Sequence, residues 1–315
     1  MSLVFKVTIA FFLFWPSAAF AQEIIKDEVV FKNGDIVLNG VLILPEKSNN
    51  APALIFIGGV DEYGELHPMR SSFITENLEY FTQHGVAVLY YDPRGIGNST
   101  GRWHRATLSE FAEDAIAAIR FLKQRKEIDS SRIGIIGHGE DGWVAQIVAA
   151  DNPNEIKMMA SLAGPTFDAQ TLLTNQYYNE YLCTGQDSAE ALIKAEQKAI
   201  SHENWVSIFP LTKRWRHMKM KQGFDPAEKL KHLNIPSLFV FGENDGEVYP
   251  DWSIDYLNKI FPGSIPDNFA IEIVSGANHY FKVTDSCSDN RNGNIEKNYS
   301  FRFKEVLRNW VFETL

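Results

Sequence analysis

The sequence predicts an α/β domain built on a mostly parallel sheet with helices on both faces. Three observations predict it. Apolar strand-length runs alternate with amphipathic helical stretches along most of the chain, the pattern of a sheet covered on both sides. One strand, Ile133-Gly134-Ile135-Ile136, turns straight into a helix through Gly137-His138-Gly139-Glu140-Asp141-Gly142. Two later strands end in loops that present Asp245 and His279.

The composition fits one large domain carrying an insertion. The chain has 315 residues, 45% of them hydrophobic and 22% charged, which is ordinary for a globular protein with a full core. A net charge of −10 argues against nucleic acid as a partner. Residues 1–21 read as a signal peptide, with Lys6, the apolar run Val7 to Trp15, and a small-x-small site at Ala19-Phe20-Ala21. That run is too short to span a bilayer, so the expectation is an exported protein, bacterial and periplasmic or secreted, with no membrane anchor after cleavage. Cys183 and Cys287 could pair in an oxidising compartment, or stay free and buried. Neither has metal-ligand spacing, and no metal or cofactor is expected.

The elements follow in order. Strands at Glu23 to Lys32 and Asp35 to Leu44 are joined by Asn33-Gly34, a hairpin signal. Ala53 to Ile57 is an apolar strand ending at Gly58-Gly59. A helix from Ser71 to His84 leads into the strand Val86 to Tyr91. Thr107 to Lys126 is a helix opened by the capping box Thr107-x-x-Glu110, with Phe111, Ala115, Ile119 and Leu122 on one stripe. After the strand at Ile133 come its helix, with Trp143, Val144, Ile147 and Val148 at helical spacing, and a strand near Ile156 to Ala163. The alternation then stops. Residues 164–225, rich in helix formers and in Tyr and Trp, read as a helical cap inserted after the sixth strand, over the carboxyl edge where ligands sit in such sheets. The core is then residues 22–163 and 226–315. It resumes with the strand Pro236 to Phe241, the helix Trp252 to Ile260, the strand Phe269 to Val274, and a last helix from Ser300 to Phe312.

A sharp strand-to-helix turn is the setting of the nucleophile elbow, Gly-x-Ser-x-Gly, which projects a serine from a strained corner. Here Gly-His-Gly-Glu-Asp stands in its place, so the nucleophile position is occupied by Gly139. Elbow, then acid, then histidine is the chain order of the α/β-hydrolase fold. The chain resembles that superfamily, and within it the exported esterase, dienelactone-hydrolase-like and serine-aminopeptidase-like members. Asp92-Pro93-Arg94-Gly95-Ile96-Gly97-Asn98-Ser99 is similar to a loop common after the family's fourth strand, and Leu38-Asn39-Gly40 with Pro45 is similar to its second strand. The resemblance implies that Asp245 orients His279 as the base. It also implies oxyanion donors on the backbone of Glu140 and of Gly59 or Val60.

The serine these groups should serve is absent. In one serine hydrolase its loss costs about two million-fold in turnover, with a residual of roughly a thousand- to ten-thousand-fold over water left by the oxyanion hole and binding. Asp141 is a second departure, since the family keeps glycine there for close packing. Glycine at the apex relieves backbone strain worth roughly 1–3 kcal/mol. A carboxylate at the helix N-terminus is worth roughly 0.3–1 kcal/mol. Asp141 should point into the sheet, and Ser99 is expected to cap a turn, so neither is expected to replace the serine. A water activated by His279 remains chemically possible. Two functions stay open: a hydrolase of ester or amide bonds with weak or no conventional turnover, or a pseudoenzyme holding a small apolar ligand or a protein partner under its cap.

Overall fold

The computed structural model describes residues 24–46, 49–58, 69–284 and 299–315. The signal-peptide segment, Gly59, Val60 and Cys287 lie outside the described residues. Eight strands form one sheet among them: β1 (Ile24–Asn33), β2 (Ile36–Pro45), β3 (Ala51–Ile57), β4 (Ala87–Tyr91), β5 (Ile128–His138), β6 (Met158–Leu162), β7 (Ser237–Gly242) and β8 (Phe269–Val274). Their order is β1-β2-β4-β3-β5-β6-β7-β8. β2 runs antiparallel to β1 and β4, and every other pairing is parallel.

The hairpin turns at Gly34, whose φ of 56° lies in the left-handed region that favours glycine. At Gly40 β2 runs so close to β4 that a Cβ there would lie 2.6 Å from the Tyr90 carbonyl oxygen.

Two apolar layers sandwich the sheet. On one face α3 (Leu108–Lys123) and α4 (Asp141–Asp151) bury Ile119, Leu122, Trp143 and Val148 against Ile55, Ile135 and Phe239. On the other, Phe73, Phe81, Phe303 and Leu307 pack over Leu54, Val88 and Ile136. The first two belong to α1 (Met69–Phe73) and α2 (Glu79–Gln83), the last two to α10 (Phe301–Thr314). The single helix expected over Ser71–His84 is interrupted. A π turn at Ile74–Leu78 separates α1 from α2, a change of hydrogen-bond register with no signature in the spacing of apolar residues. The Thr107–Glu110 capping box forms as its sequence requires, each side chain accepting from the other residue's backbone.

Between β6 and β7 lie α5 (Ala169–Cys183), α6 (Ser188–Ile208), α7 (Lys213–Lys221) and the short α8 (Ala227–Lys231). α9 (Pro250–Ile260) connects β7 to β8. Cys183, at the end of α5, is disulfide-bonded. The chain holds one other cysteine.

Candidate functional site

The carboxyl ends of β5, β7 and β8 bring three distant residues together. Gly139 follows β5 with a φ of 59° and turns directly into α4. Asp245 follows β7 and is completely buried, and His279 follows β8 with 5% of its surface exposed. The Asp245 carboxylate meets His279 Nδ1 at 2.9 and 3.1 Å. Asp245 Oδ1 also accepts from the Glu247 and Val248 amides at 2.8 and 2.9 Å, which fixes the carboxylate in a short turn. The far side of the imidazole faces the elbow. A Cβ built on Gly139 would lie 3.2 Å from His279 Nε2.

The two loops are held in register by their own hydrogen bonds. Glu243 accepts from Ser275 Oγ and the Gly276 amide, both at 2.7 Å, and the Asn244 amide donates to the Ala277 carbonyl at 2.8 Å. Asn278 Oδ1 accepts from the Tyr280 and Lys282 amides. His138, on the elbow itself, donates from Nε2 to the His279 carbonyl at 2.9 Å and stacks on Tyr280 with ring centroids 5.5 Å apart. The elbow thus holds the histidine loop directly.

Helix and strand approach closely around the elbow, but the contacts fall on the neighbours of Asp141. A Cβ on Gly137 would overlap the Asp141 carbonyl oxygen. One on Gly142 would lie 2.6 Å from Ser161 Oγ and 2.7 Å from Gly164 Cα. Glycine is therefore demanded at 137 and 142, while position 141 has room for a side chain. The Asp141 carboxyl is pushed up to about 7 by burial and by the neighbouring Glu140 charge, against the pull of Arg70 and Lys221. The gain expected from a carboxylate at the start of α4 is offset there by desolvation.

Glu140 carries a link that sequence reasoning missed. Its carboxylate accepts from His217 Nε2 at 2.6 Å and forms an ion pair with Lys221, both on α7. Burial works to raise its pKa, but Lys221 and His217 together hold it well below the ordinary carboxylate range. α7 is thereby fastened to the elbow. Among the described residues nothing accepts a hydrogen bond from the Glu140 amide. A second link joins α5 to the acid loop: Asn175 Oδ1 accepts from the Tyr249 amide at 2.9 Å, and Asn179 Oδ1 from the Tyr249 hydroxyl at 2.7 Å. Glu247 was also missed. Its carboxylate lies 3.8 Å from His279 Nε2, so the imidazole has carboxylates on both sides. A glutamate two residues beyond the acid was the available signal.

Ser99 is tied into the loop after β4, donating to the Asp92 carbonyl at 2.5 Å and accepting from the Asn39 amide at 3.0 Å. Arg94 of the same loop is buried against α3, with Nε 2.6 Å and Nη2 2.8 Å from the Asp114 carboxylate.

The strand order, and loops carrying acid and histidine after β7 and β8, define an α/β-hydrolase. Within that class the chain belongs to the serine aminopeptidase (S33) family, whose model matches residues 69–279. Esterase EstD of Thermotoga maritima is 25% identical over 228 residues, which is 70% of this chain and 54% of EstD. The chain thus spans about half the length of that relative. Solved structures with the same fold include Est1E from Butyrivibrio proteoclasticus with bound ferulic acid, at a TM-score of 0.60 and 17% identity over 91% of this chain and 98% of that one. A hypothetical protein from Pseudomonas aeruginosa gives 0.61 and 16% over 98% and 100%.

Proposed function

We propose that this protein is a homologue of carboxylic-ester and amide hydrolases that keeps the acid–base half of the machinery and has lost the serine. One observation carries the reading: His279, oriented by Asp245, faces Gly139 across 3.2 Å from the site of a Cβ. The esterase name of the Thermotoga maritima relative agrees with an ester as the substrate class. Conventional acyl-enzyme chemistry needs an atom that Gly139 does not carry.

Hydrolysis then proceeds by direct attack of water, and slowly. His279 Nε2 takes a proton from a water held over Gly139, and the water oxygen bonds to the acyl carbon. The Glu140 amide stabilises the oxyanion. The bond to the alcohol or amine breaks as His279 returns the proton to it. Glu247, beside Nε2, helps to hold the water. No metal or cofactor takes part in this route.

A second reading is a pseudoenzyme binding a small apolar ligand or a protein partner under the cap. The His217 hydrogen bond and the Lys221 ion pair from Glu140 to α7 favour it, because they brace the cap against the elbow.

Turnover of short p-nitrophenyl esters and aminoacyl amides separates the two readings. The water route predicts slow hydrolysis that disappears in His279→Ala. Rates equal to the uncatalysed background in both proteins would overturn it and leave the binding reading.

A further inference from the structure

α6 faces two ways. It buries Ala191, Ala195, Ala199 and Val206. Its other side and the turn that follows expose Ile200 by 49%, Trp205 by 56%, Ile208 by 66%, Phe209 by 48% and Leu211 by 72%. Singly exposed apolar residues need no explanation, but here five fall within twelve positions. Ile200, Trp205, Ile208 and Phe209 line a groove of about 540 Å³ along that side of the helix.

The adjoining surface is basic, against the chain's net charge of −10. α7 carries Lys213, Arg214, Arg216, Lys219 and Lys221 in nine residues and no acidic side chain. It packs on the turn Trp103–Arg105, which adds Arg102 and Arg105. His104, between them, is held below its ordinary pKa by burial and by the charges of Arg216, Lys213, Arg105 and Arg102. Lys221 is engaged with Glu140. Arg216 instead donates to the Pro210 and Leu211 carbonyls at 3.1 and 3.3 Å, and Lys219 to the Ser207 carbonyl at 2.8 Å. These bonds place two cationic side chains directly against the backbone of the apolar turn.

We propose that this edge of the cap docks on an anionic lipid surface. Trp205, Ile208, Phe209 and Leu211 enter the acyl boundary, while Arg102, Arg105, Lys213 and Arg216 meet the lipid phosphates. An apolar ridge rimmed by Lys and Arg is the chemistry of interfacial binding. A second copy fits the surface poorly, because an isologous pair sets each basic rim against its twin. The inference concerns docking alone and holds whether or not the site turns over an ester.

The test uses the full chain with vesicles of phosphatidylcholine alone and of phosphatidylcholine mixed with phosphatidylglycerol. Hydrogen–deuterium exchange locates the contact. Docking predicts sedimentation with the mixed vesicles only, weakening as salt rises, with slowed exchange over residues 205–221. Ile208→Ser with Leu211→Ser should abolish that protection. Arg105→Glu with Lys213→Glu should weaken partitioning by at least about tenfold. Equal binding to neutral vesicles would overturn the proposal, as would protection confined to residues 1–23. Protection of 205–221 by soluble polyglutamate, or by self-association without lipid, would assign the surface to a protein partner and overturn it equally.

Discussion

His279 Nε2 stands 3.2 Å from the point where a side chain on Gly139 would begin. The backbone at Gly139 keeps a φ of 59°, the left-handed conformation that strains any other residue except Asn or Asp. Gly139→Ser should therefore cost stability, by roughly 1–3 kcal/mol, read as a lower midpoint in urea with an unchanged slope. An unchanged midpoint would mean that the corner is not strained.

Asp141 gives the site a pH signature. Its carboxyl titrates near 3.8 when unfolded and is pushed up to about 7 in the fold by burial and Glu140. Between those values the folded chain holds a proton that the unfolded chain has released. The resulting stability is complete below about pH 4 and is lost as pH rises through 7, at a slope of up to about 1.4 kcal/mol per pH unit. Asp141→Asn should remove that fall. Denaturation midpoints of the two proteins across pH 4 to 8 make the comparison, and parallel curves would contradict it.

The buried ion pair between Arg94 and Asp114 anchors the loop after β4 to α3, and Asp114 also accepts from Asn33 Nδ2 at 2.9 Å. Asp114→Ala leaves Arg94 buried without its main partner and should cost about 3–5 kcal/mol. Glu190→Gln breaks the exposed pair with Lys194 on α6 and should cost less than about 1 kcal/mol. Thermal or urea unfolding of both variants checks the contrast.

Much of the fold was legible because local signals and tertiary demands agree. The Asn33-Gly34 turn, the Thr107 capping box and the apolar strands at Ile133 and Phe269 each encode their structure within a few residues. The π turn at Ile74–Leu78 was not legible, since it changes hydrogen-bond register without altering which residues are apolar. Asp245 and His279 could be picked out because each follows a strand in a fixed order. Lys221, His217 and Asn179 could not, because their partners lie some seventy or more residues away and neither end carries a local pattern. Asp141 shows the limit of motif spacing: close packing falls on Gly137 and Gly142, which only the backbone path reveals.

We propose position 139 as the nucleophile site of a hydrolase that has lost its serine. The most direct measurement is covalent labelling by a serine-reactive phosphonate, with the adduct located by mass spectrometry, in the protein carrying Gly139→Ser and Asp141→Gly. The expected result is an adduct at position 139 that disappears when His279→Ala is added, and none on the unaltered chain. A doubly substituted protein that folds but takes no label, or labelling at another residue, would contradict it.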